Sequence, residues 1–465
     1  MRYAYLFVLI VVIMAILFGI MAGAYGLGGL AESFAWEHFE FHGASHLTSM
    51  LILMLVMVMG LATLLTHIER KWSAFMQDRV GPNRVRLPGR LKGYSLGGLP
   101  HIATDVLKIL TKEAFRPARA SMALFNLGPI LAFAPAFALF AIVPAGPSVK
   151  VMGHEVMMVA ANPDFGLLFV FGIASLAVYG TSLAGWSSNN KFALLGGVRA
   201  SSQMISYEVA LGLSLVGMML AFSTVQLAGP HGMAVMQGQY LWKTELWGLD
   251  VGVPQWGILL QPTGFVLFFA AAFAETKRAP FDTPEGESEI VGYFLEYSGM
   301  QFGMFMVAEF VEIVFLAGVL AAVFFGGWYL PFGNEALERA LAGQGWLLGA
   351  VYGTIFWLKV LLLINLQMVI RWTFPRFRYD QIQKLGWQIL LPLGLVNVFV
   401  SGALVLLDPS LKLLAGVGML ELLVLVFLTL TPPRQVRKQL AAHDEHAGHG
   451  AHDGPHPAHA AADTH

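Results

Sequence analysis

Apolar stretches of roughly twenty residues recur along this chain, separated by polar connections, and within each stretch the apolar character is continuous. That length suits an α-helix crossing the hydrocarbon core of a bilayer, which takes about 20 residues. A membrane β-barrel would instead alternate apolar and polar positions. The pattern predicts ten spans, at 4–24, 47–69, 121–144, 165–187, 204–226, 256–275, 302–327, 346–370, 387–407 and 412–430. The expected fold is all-α: a polytopic membrane protein with about ten transmembrane helices and structured cytoplasmic loops. Arg2 precedes the first apolar run, and the small residues Ala22, Gly23 and Ala24 close it, as in a signal peptide. Its apolar core is longer than an ordinary signal sequence carries, so a retained helix is expected.

Charge gives the bundle an orientation. With ten spans, 23 Lys and Arg fall on one set of connections and three (Lys150, Lys243, Arg339) on the other, while Lys359 and Lys412 lie within spans. Positive residues stay cytoplasmic, which puts both termini on that side, as for a multi-pass protein of a bacterial inner membrane. Net charge is −1, so nothing draws the chain to nucleic acid. Cysteine is absent, which excludes disulfides, thiolate catalysis and cysteine-held iron–sulfur or zinc sites. Electron carriers, if any, sit in other chains or diffuse in. No metal site and no catalytic residue is expected here. No internal repeat is visible, which weighs against an inverted-repeat transporter.

Three cytoplasmic segments read as more than connectors. The first runs from "HIERKWSAFMQDRVGPNRV" (67–85) to "GGLPHIATDVLKILTKEAFRP" (97–117), where Ile102, Val106, Ile109 and Leu110 recur at helical spacing, as in a short amphipathic helix against the membrane or a partner. The second is "NNKFALLGGVRASSQMISYEVA" (189–210), leading into the fifth span with Glu208 in its first turn. The third, "AETKRAPFDTPEGESE" (274–289), packs seven charged residues into sixteen, five of them acids. Pro280 and Pro284 forbid a continuous helix there, so a re-entrant loop lining a polar cavity is expected.

Acids continue beyond that loop. Glu309 and Glu312, three apart, share one face of the seventh span. A charge at mid-bilayer costs about 2.5–3.5 kcal/mol on insertion scales, so two on one face imply a use. Glu208, Glu285, Glu287, Glu289, Glu296, Glu309 and Glu312 are candidates for a buried proton path, with Lys359 as counter-ion to one of them; the plain alternative is that some lie at the interface. Glu421, mid-span in the last helix, either extends the path or is simply hydrogen-bonded to a neighbour.

"ERKWSAFMQDRVGPNRV", "LPHIATDVLKILTKEAFRP", "AETKRAPFDTPEGESEIVGYFLEYSGMQFGMFMVAEF" and "RWTFPRFRYDQIQKLGWQILLPL" together resemble the H-type membrane subunit of NADH–quinone oxidoreductase, respiratory complex I, in the family's order over residues 47–407. The resemblance implies an eight-helix core, with 1–46 and 408–431 as additions each bearing one further helix. It implies a polypeptide without redox groups that docks quinone-site subunits of the peripheral arm and other membrane-arm subunits. A quinone (ubiquinone or menaquinone) would be the substrate, and NADH, FMN and iron–sulfur clusters would belong to the partners. Glu69 and Arg70 match an acid–base pair at the chamber mouth. Phe75 and Met76 lie where the quinone tail would pass. Arg278, Ala279, Pro280, Phe281 and Asp282 match the loop near the headgroup path, and Glu208, Glu285, Glu287, Glu289, Glu309 and Glu312 are the candidates for the family's chain of acids toward the antiporter-like subunits. Arg371, Arg376, Arg378, Tyr379 and Asp380 match a basic motif that would anchor a partner. The family loop commonly has Asn where Lys277 stands. Residues 432–465, rich in His, read as a disordered cytoplasmic tail able at most to bind divalent ions weakly.

The expected function is coupling of quinone reduction to proton translocation through buried carboxylates. The homologous subunit of a membrane-bound hydrogenase or other donor–quinone oxidoreductase would share these features. A stand-alone secondary transporter would need two repeated halves, and a purely structural anchor would have no use for Glu309 and Glu312.

Overall fold

The computed structural model describes residues 2–39, 44–86, 95–151, 153–246, 249–286 and 289–431. Helix α1 (Arg2–Phe39) leads to α2 (Ala44–Ile52), which passes through a π-helical turn (Leu53–Val58) into α3 (Met59–Met76). The amphipathic helix expected in 97–117 is present as α4 (Pro100–Thr111). Three long helices follow: α5 (Met122–Leu139), α6 (Gly166–Ser187) and α7 (Lys191–Phe222). Hairpin β1–β2 (Val149–Val151, His154–Val156) lies between α5 and α6. After α7 come α8 (Met233–Met236), hairpin β3–β4 (Tyr240–Leu246, Leu249–Pro254), α9 (Gly257–Leu260) and α10 (Pro262–Glu275). The chain ends in α11 (Gly299–Phe324), α12 (Asn334–Ala340), α13 (Gly345–Thr373), α14 (Tyr379–Lys384), α15 (Leu391–Leu407) and α16 (Lys412–Leu430).

Among the described residues, nine helices are long and apolar enough to cross a membrane, and α10 is a shorter apolar tenth. The chain is thus an all-α polytopic membrane protein. The expected spans fall on these helices, with three corrections. Residues 70–76, beyond the end expected at 69, are the last turns of α3. The segment 189–210 is likewise helical: Asn190 caps α7, its side chain accepting from the Phe192 amide at 2.9 Å. Glu208 therefore sits in mid-helix, not in a first turn. The span expected at 256–275 is broken at Gln261, because Pro262 lacks an N–H to continue the hydrogen-bond ladder.

Helix α11 is the axis of the bundle. Of its apolar window 94% is buried, against 17% for α16. It packs against α3, α4, α5, α10 and α13. The added helix α1 lies along α13, where glycines admit it: a Cβ at Gly349 would meet the Tyr25 ring at 2.8 Å, and one at Gly353 would meet Met21 Cε at 2.1 Å. Tyr25 also donates its hydroxyl to the Pro147 carbonyl at 2.7 Å. At the other end, Gly418 of α16 lies over the Leu259 and Leu260 carbonyls at the Gln261 break, and Thr263 donates to Glu421 at 2.8 Å. Glu421 is thus tied to a neighbouring helix, the plainer of its two expected roles. The tail, 432–465, lies outside the described residues.

Candidate functional site

The site is built where the non-helical stretch between α10 and α11 meets α3, α11 and α13. Consecutive helix residues point about 100° apart, so adjacent Glu69 and Arg70 face different partners. Glu69 turns inward and binds Arg371 at 2.6 Å and Arg278 at 2.9 Å. Arg70 turns outward to Asp105 of α4 at 2.6 Å, half exposed. Arg278 reaches a second acid, Glu309, at 3.3 Å, with its guanidinium 4.5 Å from the Phe310 ring centre. Its planar fork lets one cation bridge acids on two helices. Lys277 faces Glu312 at 3.7 Å, both buried. It does so from a left-handed backbone, φ 54°.

Glu309 accepts from the buried Tyr293 hydroxyl at 3.2 Å and lies close enough to Glu285 for the two carboxyl groups to act on each other. Burial, and then the charge of Glu309, push the Glu285 carboxyl well above its ordinary range. Burial and the same acid raise the Tyr293 phenol, so it stays a donor. Burial alone would lower Lys277, but Glu312, Glu309, Glu285 and Glu275 outweigh it, and its ammonium is held above the usual value. Burial raises Asp282 against the opposing pull of Arg376 at 2.6 Å.

Among the described residues, a gap of about 10 Å³ is lined by Arg278 and Arg371, and two larger hollows lie nearby. A cleft of about 330 Å³ opens between α3, α4 and α11, with Thr66, Arg70, Asp105 and Lys108 among its polar lining and Met306 and Val307 among its apolar lining. A void of about 30 Å³, on the scale of one water's share of liquid volume, lies between α5, α6, α7, α10 and α11. Its lining is apolar except for Glu208, Glu275 and Glu312.

Of the expected path, Glu208, Glu285, Glu309 and Glu312 come to this network or its void. Glu289 does not: its side chain is 60% exposed and paired with Arg199 at 2.8 Å. Glu296 accepts from Asn190 at 2.7 Å, beside the start of α7. Glu287 lies outside the described residues. Lys359 is no counter-ion: its ammonium donates to the carbonyls of Phe325, Gly327 and Tyr329 at 2.7, 2.9 and 2.5 Å, securing the turn after α11. Phe75 and Met76 are exposed at the end of α3 and do not line the cleft. Ala279 and Pro280 lie in the loop, and Phe281 packs between Tyr207 and Phe377. Arg371, assigned to docking, belongs to the buried cluster with Glu69, and Arg376 binds Asp282. Arg378 and Asp380 are exposed, while Tyr379 donates to Ser202 at 2.9 Å. Glu275 and Lys277 received no role from the sequence. Their signal was available: both stand in the charged loop beside Arg278.

A bundle of membrane spans with acids and bases paired in its interior, beside one cleft under an amphipathic helix, defines a polytopic membrane protein that holds charge within the bilayer. The chain belongs to the NADH dehydrogenase family, whose sequence model matches residues 48–402. An NADH-quinone oxidoreductase H subunit of Geobacter sulfurreducens (numbered 2 in that organism) is 40% identical over 362 residues, covering 78% of this chain and 95% of its own. The corresponding protein of Flavobacterium psychrophilum is 38% identical over 358 residues, 77% of this chain and 96% of its own. That of Cytophaga hutchinsonii is 38% identical over 344 residues, 74% and 91% respectively. Helices α1 and α16 lie outside the matched region.

Proposed function

We propose that this chain is the membrane subunit of a proton-translocating NADH–quinone oxidoreductase, forms the membrane part of its quinone chamber, and passes the effect of quinone reduction to protons through buried carboxylates. One observation carries the reading: Arg278 bridges Glu69 of α3, the helix that walls the cleft, to Glu309 of α11. The cleft under α4 suits a quinone's apolar tail, and the exposed Arg378 and Asp380 suit a docked peripheral subunit.

Reduction of a quinone takes two electrons, supplied from partner subunits, and two protons, giving the quinol. Negative charge formed beside Glu69 and Asp282 draws on Arg278, Arg371 and Arg376. Glu309, with less of Arg278, holds a proton more tightly, because a carboxylate that loses its cation has a higher pKa. A proton on Glu285 is then drawn toward Glu309, and the disturbance passes along α11 to Glu312, Lys277 and the void with Glu208 and Glu275. Sites coupled this closely titrate as a unit.

The test replaces Glu309 with Gln in the intact complex, reconstituted in proteoliposomes. The expected outcome is a large loss of quinone-driven proton uptake relative to quinone reduced. Wild-type values for both would overturn the reading.

A further inference from the structure

The loop that leaves α10 after Glu275 and runs to Thr283 carries Lys277, Arg278 and Asp282, yet it has no helical ladder to hold it. A single side chain closes its neck. Gln203 of α7, fully buried, donates its amide N–H groups to the Ala274 carbonyl at 2.7 Å and the Phe281 carbonyl at 2.9 Å, and its oxygen accepts the Thr283 hydroxyl at 3.0 Å. These three bonds use both of its donors, and they join the end of α10 to the far side of the loop. On the outer face, the Phe377 amide donates to the Pro280 carbonyl at 3.0 Å. Neither clasp touches the ionic network. Their effect is on where Lys277 and Arg278 stand.

We propose that Gln203 is a positioning residue for coupling: it fixes the loop so that Lys277 meets Glu312 and Arg278 spans Glu69 and Glu309. The inference rests on the functional reading above. Ion pairs at 2.9–3.7 Å across three elements tolerate little displacement, and misplacement of about 1 Å by a remote change costs up to about 100-fold in a tuned site. A carboxamide suits the place because a glutamate would offer at most one donor, and only when protonated, to the two carbonyls, and a leucine would offer nothing.

The test uses the whole complex in native membranes and in proteoliposomes, with Q203L removing all three bonds, Q203E removing the two donors, and T283V removing only the third. Complex content is measured first, by native electrophoresis, and all rates are expressed per assembled complex. In Q203L and Q203E the ratio of protons moved to quinone reduced is expected to fall several-fold, and the pH profile of quinone reduction to shift as the carboxylates lose their fixed cations. T283V is expected to fall between these and the parent. A residue that served only folding would change complex content and leave the ratio and the pH profile unchanged. That result, or a parental ratio in assembled Q203L or, should that variant not assemble, in assembled T283V, overturns the inference. E309Q, assayed alongside, separates the two layers. Impairment of E309Q with a normal Q203L or T283V sinks only the role of Gln203, whereas a normal E309Q sinks the reading on which it rests.

Discussion

Glu285 shows how one side chain's surroundings become a pH dependence. Its folded pKa is raised, first by burial and next by Glu309. A carboxyl raised in this way weakens the fold at every pH above its unfolded pKa, about 4.3, and the penalty grows until pH reaches the folded value. Gln at this position carries no such penalty. The E285Q complex is therefore expected to melt at higher temperature than the parent at pH 8, the gap closing as pH falls toward about 4. A thermal ramp at several pH values checks this, and a gap of constant size would contradict it. Residue-scale features were unevenly legible in the chain. The shared face of Glu309 and Glu312 follows from spacing alone. The pairing of Glu69 with Arg278 does not, since 209 positions separate them. Lys359 was misread because carbonyl oxygens, its actual partners, leave no mark in a sequence.

At the scale of elements, positions of spans were legible from the length of apolar runs, while their ends and breaks were not. The span was expected to end at 69, yet α3 runs on through Arg70 to Met76, with Arg70 paired to Asp105 of α4. Gly349 makes a prediction of this scale. A leucine there would drive its Cβ into the rigid Tyr25 ring, 2.8 Å away, and overpacking of this kind costs about 1–3 kcal/mol. Helix α1 should loosen from α13 while the family core persists. The chain has no cysteine, so a single A24C change reports the docking. Ala24 is fully buried, and a maleimide is expected to label it in the G349L background and not in the parent. Equal labelling in both would show that the glycine notch does not seat α1.

For the whole molecule, the distribution of 23 Lys and Arg against three sets the expected orientation, because moving cations across the bilayer is what insertion resists. A fluorescent protein joined after His465 is expected to fluoresce and an alkaline phosphatase joined there to be inactive. The opposite pair of results would invert the topology. What the sequence could not disclose at this scale was the central place of α11. Its apolar run looks like any other span, and only the packing of α3, α5 and α13 around it shows that its acids are enclosed on every side.

That enclosure bears on biogenesis. Spans are made and inserted in chain order, so α11 enters the bilayer before α13 exists to cover it, but the partners of Glu309 and Glu312 are already made. Lys277 stands 35 positions before Glu312 and Arg278 31 before Glu309. Their cations are synthesised before the two acids of α11, so each is present when its partner on that helix is made.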